Sequence, residues 1–255
     1  NISVARQIIP QLSVGLGLNI LDGSLKCHAK KVTPLYTYTL DMKAEGIQLQ
    51  GILGLLYRPL EYLAVGVSYK RGSQAEFKGD ASVTYPFPVG VNLVVLQEES
   101  DYTQRLLVPV QIGLGVAYTA IEKLILTADW ARTDWSDFYK DIDYKVEGDL
   151  FKDSKVDQQW MVSDRIRLGV EYCLVRDLAI RAGFGLDPRG VSDRAVSQTN
   201  LIDTDRKIIS FGLGYEWNNI AADLGYVYAF GKETIQDVEY EKNTSGLVSS
   251  LHYKF

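Results

Sequence analysis

Two histidines, two cysteines and a set of charged residues at alternate positions are what this 255-residue chain offers to chemistry. Nucleophilic catalysis needs an imidazole within reach of a hydroxyl or thiol. His28 lies in a polar stretch far from His252, and the two are expected at opposite ends of a wall of strands. No enzyme activity, metal site or cofactor is therefore expected. Cys27 and Cys173 allow at most one bridge. A disulfide needs Cα atoms within about 7 Å, and these two are expected much further apart, unpaired. The charged set is Asp129, Arg165, Arg167, Glu171, Arg181, Glu216 and Asp223. Each lies on the parity that is mostly Gly, Ser, Ala or other polar residues, opposite the apolar parity of its strand. Two readings are open. The charges pair with one another on a wetted wall, or they contact a ligand head group, since Arg binds carboxylates bidentately.

The elements that must position these residues follow from a period of two. In Leu106–Tyr118 one parity reads Leu106, Val108, Val110, Ile112, Leu114, Val116, Tyr118, and the other reads Leu107, Pro109, Gln111, Gly113, Gly115, Ala117. A strand sends alternate side chains to opposite faces. The same pattern recurs around Leu12–Ile20, Ile47–Tyr57, Leu63–Lys70, Leu124–Ala131, Arg165–Leu174, Leu178–Gly185, Ile209–Trp217, Ala222–Phe230 and Leu247–Phe255. Ile2–Ile9 adds a weaker strand, making eleven. Helical spacing fits none of them, and Gly at alternate positions would weaken a helix by about 1 kcal/mol each.

A soluble sheet buries its apolar face, whereas a membrane barrel turns that face to lipid and its polar face to a lumen. Three features favour the membrane. The non-apolar parity is rich in Gly, which makes a poor solvated face. Aromatic residues such as Tyr57, Tyr118, Trp130, Tyr172 and Trp217 sit toward strand ends, as in interfacial girdles. Connections alternate between short ones, near residues 10–11, 59–61, 121–123, 175–177 and 218–219, and long polar ones, at 22–45, 72–103, 133–162, 187–205 and 231–245. Short inner turns and long outer loops mark bacterial outer-membrane barrels. The expected fold is all-β: an antiparallel transmembrane β-barrel formed by a single domain spanning residues 1–255. The C-terminus is expected on the periplasmic side, the protein is expected to be a monomer, and membrane lipid and lipopolysaccharide are its expected partners.

Composition agrees. The net charge is −5 and no Lys/Arg run exceeds a pair, so no nucleic acid partner is expected. No stretch reaches the roughly 20 apolar residues of a membrane helix. The opening Asn1–Val4 lacks a charged segment leading into an apolar core. Asn1 therefore reads as internal to a longer precursor or as the start of a mature chain.

An antiparallel barrel needs an even strand count to close. Eleven strands leave the first and last parallel, so an odd number is expected to be missing, most simply N-terminal ones.

The runs Asp164–Tyr172, Leu178–Phe184 with Asp187-Pro188, Asp205-Arg206 and Phe211–Tyr215 appear in this order. So do Leu126–Trp130 with Thr133–Ser136, and Val67–Lys70 ahead of Phe77–Ala81. Together they resemble the FadL-type outer-membrane transporters of long-chain fatty acids and aromatic hydrocarbons. The resemblance covers most of residues 47–255. It implies a fourteen-stranded barrel plugged by an N-terminal hatch, of which this chain would supply about 11 strands. It also implies passive uptake of a hydrophobic small-molecule ligand, caught at an apolar outer groove and released sideways through the wall. The polar-parity charges could then meet the hatch as well as a ligand. A structural or adhesion barrel and a general porin are the alternative functions.

Finer expectations follow. Val110, Leu168 and Leu213 should face lipid at mid-membrane. Asn218-Asn219 should form a type I′ turn, setting Trp217 opposite Ile220, Tyr215 opposite Ala222 and Leu213 opposite Leu224. A three-residue turn at 175–177 should place Leu174 opposite Leu178 and Glu171 opposite Arg181. Gly15, Gly17, Gly113, Gly115, Gly212 and Gly214 read equally as space for a plug and as relief from crowding in a bent sheet. The nine Asp/Glu of 133–164 are expected to form a solvated acidic surface. The closing Leu251–Phe255 looks like a terminal outer-membrane signature.

Overall fold

The computed structural model describes residues 1–33, 37–90, 92–195, 203–235 and 237–253. The terminal Phe255 lies outside them. Alternation becomes strand at every segment where it occurs. The strands are β1 (Ile2–Ile9), β2 (Leu12–Val32), β3 (Thr37–Leu60), β4 (Leu63–Lys70), β5 (Ser73–Val89), β6 (Asn92–Val108), β7 (Val110–Tyr118), β8 (Leu124–Asp134), β9 (Tyr139–Tyr144), β10 (Ser154–Asp157), β11 (Val162–Val175), β12 (Leu178–Asp187), β13 (Arg206–Trp217), β14 (Ile220–Ile235) and β15 (Val238–Tyr253). All belong to one antiparallel sheet.

The sheet has two levels. The eleven expected strands form a continuous wall in the order β1, β2, β3, β4, β7, β8, β11, β12, β13, β14, β15. The remaining four, β5, β6, β9 and β10, were expected as loop. They attach to the far end of β3, where Thr39–Glu45 pairs with Lys78–Thr84 of β5. The count is therefore fifteen rather than eleven.

The reason is that most of the "long loops" are strand continuations whose two faces exchange chemistry. On β3, burial alternates from Asp41 to Gln50 and again from Ile52 to Tyr57, with half-buried Gly51 between. The exposed positions read Asp41, Lys43, Glu45 and then Ile47, Leu49, Leu53, Leu55, Tyr57. The covered positions read Leu40, Met42, Ala44 and then Gln48, Gln50. The change falls at one level on neighbouring strands, since Ile20 pairs with Leu49, Asp22 with Ile47 and Ser24 with Glu45. Segments with reversed chemistry look polar in composition, so they read as loops. A strand crossing from lipid into water must make this change while its geometry stays the same.

A second difference is at Pro109. Leu106–Tyr118 is not one strand: it breaks between β6 and β7. Proline has no N–H to give a ladder. β6 pairs with β5 and β9, whereas β7 pairs with β4 and β8. Opposite this break lies Gly72, where a Cβ would sit 2.8 Å from Val110 Cγ2.

Below the change of chemistry, the apolar face is open. Leu16, Leu55, Leu114, Val116, Leu168, Ile180, Phe211, Leu213 and Leu224 are all exposed, Leu168 at 51% and Leu213 at 52%. Apolar patches above a few hundred Å² are rare on water-soluble monomers. Val110 departs from its expected mid-membrane place. It is half-buried and pairs with Asp134, beside Ile112 opposite Arg132, at the polar end of the band. Above the change, the covered face holds the largest buried apolar cluster: Ala44, Ala81, Val83, Tyr102, Ile142 and Phe151.

Candidate functional site

The polar parity of the wall carries the charged residues, and their positions follow from register. The β11–β12 ladder sets Glu171 against Arg181, as expected, although the turn differs. Val175, not Leu174, pairs with Leu178, because a bulge between Cys173 and Val175 absorbs one residue. The turn is thus the two residues Arg176-Asp177, and the bulge restores the expected register. Arg181 Nε donates to Glu171 Oε2 at 2.5 Å. Its Nη1 donates to Asp223 Oδ1 at 2.6 Å. Ser250 Oγ donates to the other Asp223 oxygen at 3.0 Å.

Arg181 is on β12 and Asp223 on β14, so the guanidinium must cross β13. It crosses at Gly214, the Cα partner of both Ala179 and Asp223. A Cβ there would lie 2.7 Å from Arg181 Nη1 and 2.8 Å from Asp223 Oδ1. Gly214 therefore leaves clearance for an ion pair. This is a third reading beside a plug space and a bent sheet. Gly115 leaves clearance for the Asp129 carboxylate, since its Cβ would lie 2.6 Å from Asp129 Oδ1.

A second cluster sits toward the far end of the same strands. Asp187, with its side chain 9% exposed, accepts from Arg165 Nε at 2.5 Å and from Arg206 Nη2 at 2.6 Å. Asp187 and Arg206 were not singled out as site residues, because the alternation was read as ending at Gly185 and beginning at Ile209. Carrying the parity from Gly185 to Asp187, and from Ser210 back through Ile208 to Arg206, finds both.

The structure does not gather all seven candidates. Asp129 and Arg167 are Cα partners across β8 and β11, yet neither makes an ion pair with a described residue. Both line a shallow recess of about 460 Å³ with Glu171, Arg181, Gly169 and Gly183. Glu216 lies beside the 176–177 turn, where its N–H donates to the Asp177 carbonyl at 2.8 Å. It lines a smaller recess of about 180 Å³ with Glu171, Arg181 and Asp223.

Arg165, Glu171, Arg181 and Asp223 are thus spent on ion pairs, with Asp187 and Arg206 as further partners, and opposite charges on this face nearly balance. The Asn218-Asn219 hairpin has the expected register, with Trp217 opposite Ile220, Tyr215 opposite Ala222 and Leu213 opposite Leu224. Only Asn218 takes a positive φ, 51°. Type I′ needs two such residues, so the turn is not type I′; one at the first position is the type II′ pattern.

Beyond the wall, in the water-facing extension, Arg105 Nη1 meets Asp143 at 2.5 Å and Asp141 at 3.4 Å. The hydrogen bond that Arg105 donates to Asp143 leads in pushing the Arg105 pKa up. The 133–164 acids are therefore partly structural rather than a merely solvated surface.

The arrangement offers no nucleophilic centre. His28 Nδ1 lies 2.5 Å from Asp41 Oδ1. Asp41 is also the Cα partner of Ser82, so the carboxylate stands between imidazole and hydroxyl. A proton relay needs the imidazole in the middle. His252 pairs with Ala221 at the other end of the wall. Among the described residues, no three His, Cys, Asp or Glu side chains are grouped to hold a metal ion.

Comparison with known proteins places this geometry. No curated protein sequence matches the chain. Solved structures do. The toluene transporter TbuX of Ralstonia pickettii is 17% identical with a TM-score of 0.66, the match covering 98% of this chain and 66% of TbuX. A FadL homologue of Pseudomonas aeruginosa is 17% identical with a TM-score of 0.70, over 98% of this chain and 64% of the homologue. The P. putida toluene transporter TodX is 16% identical with a TM-score of 0.56, over 97% and 66%. This chain thus spans about two thirds of the length of these relatives. The family model described as "Outer membrane protein transport protein (OMPP1/FadL/TodX)" matches residues 1–254. The chain belongs to this family of bacterial outer-membrane β-barrel proteins.

Proposed function

We propose that the chain forms the wall of a channel for passive uptake of hydrophobic small molecules, such as long-chain fatty acids or aromatic hydrocarbons. The carrying observation is the wall itself. A continuous exposed apolar band lies on one face, with Gly, Ser and mutually paired charges on the other. The band suits lipid contact. The neutralised polar face offers little counter-charge to hold ions, which suits an apolar cargo. The names of TbuX and TodX as toluene transporters point the same way.

In this reading the eleven wall strands contribute to a fourteen-stranded barrel. β1 pairs only with β2 and β15 only with β14 among the described residues. Both strands run toward the short turns, so they are parallel to each other. Antiparallel closure needs an odd number of strands between them, and three complete fourteen. The short turns and the C-terminus lie at the periplasmic end, and the β5–β6 and β9–β10 hairpins project outward past lipopolysaccharide. The barrel works as a monomer, and Asp129 and Arg167 are left to contact the hatch or a ligand head group.

The test is uptake by the full-length protein. Proteoliposomes carrying it should accumulate labelled toluene or oleate faster than empty vesicles, while planar bilayers carrying it pass little steady ionic current. Large stable conductance would favour a general porin. Neither uptake nor conductance would favour an adhesion or structural barrel.

A further inference from the structure

The loop between β9 and β10 folds back over the covered face of the outward extension. We propose that Glu98 of β6 is the latch of this strap, and that its release uncovers an aromatic-walled apolar floor for a hydrophobic molecule. The inference rests on the uptake reading for what the floor receives, but not for the latch itself.

Four observations carry it. Glu98 spends its carboxylate on consecutive backbone amides of the strap. Oε1 accepts from Asp149 N at 2.7 Å and Leu150 N at 3.1 Å, while Oε2 accepts from Leu150 N at 3.0 Å and Phe151 N at 3.0 Å. Successive amides turned toward one anion form a nest, a strong and local clamp. Next, Gly148 is required for the approach, because a Cβ there would lie 2.5 Å from the Glu98 carboxyl carbon. Third, the clamp seats Phe151 in the floor, with Leu150 packed beside it. Phe151 is only 4% exposed and stacks on Tyr144 at 4.7 Å and 15°. It packs in the cluster of Ala44, Ala81, Val83, Tyr102 and Ile142. Finally, residues 145–149 around it are exposed, so little else holds this stretch down. Its remaining ties are Lys145 N to the Asp101 carbonyl, Lys145 Nζ to Asp101 Oδ2 at 3.1 Å, Val146 N to Ser100 Oγ and Tyr144 N to Asp153 Oδ1 at its ends, with Gly148 N donating to the Phe151 carbonyl within it and Leu150 packed on the cluster.

Phe151 therefore occupies, from within the chain, a place shaped for an apolar ring. Removing the latch leaves the β9–β10 ladder and the Arg105 ion pairs intact, so the strap can open without unfolding the extension.

The experiment is amide hydrogen exchange on the full chain in lipid, with Glu98→Ala and Gly148→Ala. The first removes the anion; the second keeps it and drives it off. In both, the amides of Asp149, Leu150 and Phe151 should exchange at least about tenfold faster, while those of β9 stay unchanged. The neutral fluorescent probe N-phenyl-1-naphthylamine should bind the variants more tightly than the parent. Unchanged exchange in both variants would overturn the latch. Equal acceleration throughout β6 and β9 would also overturn it, by showing a structural role only. Faster strap exchange without extra probe binding would overturn the covered floor. Toluene uptake is measured separately: its absence alongside the expected exchange would fault the uptake reading and leave the latch standing.

Discussion

Arg181 and Asp223 pair at 2.6 Å although the strands that carry them are not neighbours. The guanidinium on β12 passes over β13 at Gly214 and is held from behind by Glu171 of β11. With Ser250 on β15, the network ties five consecutive strands of the wall.

This network gives a stability prediction. A double-mutant cycle of Glu171→Gln and Arg181→Gln, followed by urea unfolding in lipid, should return a coupling of about 1 kcal/mol, the value being modest because both side chains are partly exposed. Gly214→Val should break the Arg181–Asp223 contact, costing roughly 1–3 kcal/mol. Additive effects in the cycle would show that the two side chains act independently.

The apolar band makes a depth-dependent prediction. Leu168→Arg and Leu213→Arg should each cost about 2–4 kcal/mol, and Val110→Arg only about 0–1 kcal/mol. Val110 sits against Asp134, two residues along the strand from the level of Ile112 and the Arg132–Asp164 pair at 2.8 Å, where water and head groups can take the charge. Equal costs at all three sites would contradict this depth order.

The change of chemistry along β3 predicts where the membrane ends. Trp introduced at Leu49 should be quenched by brominated acyl chains, and Trp at Lys43 should not. The two positions share one face and differ by six residues, so about 20 Å of strand separates them. Quenching of both would move the boundary beyond Glu45.

The Asn218 turn predicts a backbone effect. With φ at 51°, Asn218→Gly should be neutral or slightly stabilising, while Asn218→Val should cost about 1–3 kcal/mol because a β-branched residue resists this region. Thermal unfolding of the two variants reads this directly.

The eleven wall strands, their facing and the pairing at both Asn218-Asn219 and Glu171–Arg181 were legible in the sequence. Period two assigns a face, and a short turn fixes the register of the strands it joins. These are local rules. The β5–β6 and β9–β10 hairpins were hidden because their polar and apolar faces are exchanged relative to the wall. Polar residues on the outward face then resemble loop composition, even though the alternation at Asp41–Glu45 is as regular as that at Ile47–Tyr57.

Beyond the Glu171–Arg181 pair, tertiary structure decided which charges meet. Asp129 and Arg167 face each other in register and stay apart, whereas Arg181 and Asp223 skip a strand and bond. Asp187 collects Arg165 and Arg206 from the strands on either side. Parity tells which face a side chain takes, but its height on that face depends on the accumulated register and bulges of every strand between. Whether a long side chain can cross a neighbour then depends on what stands in its way, here the missing side chain of Gly214.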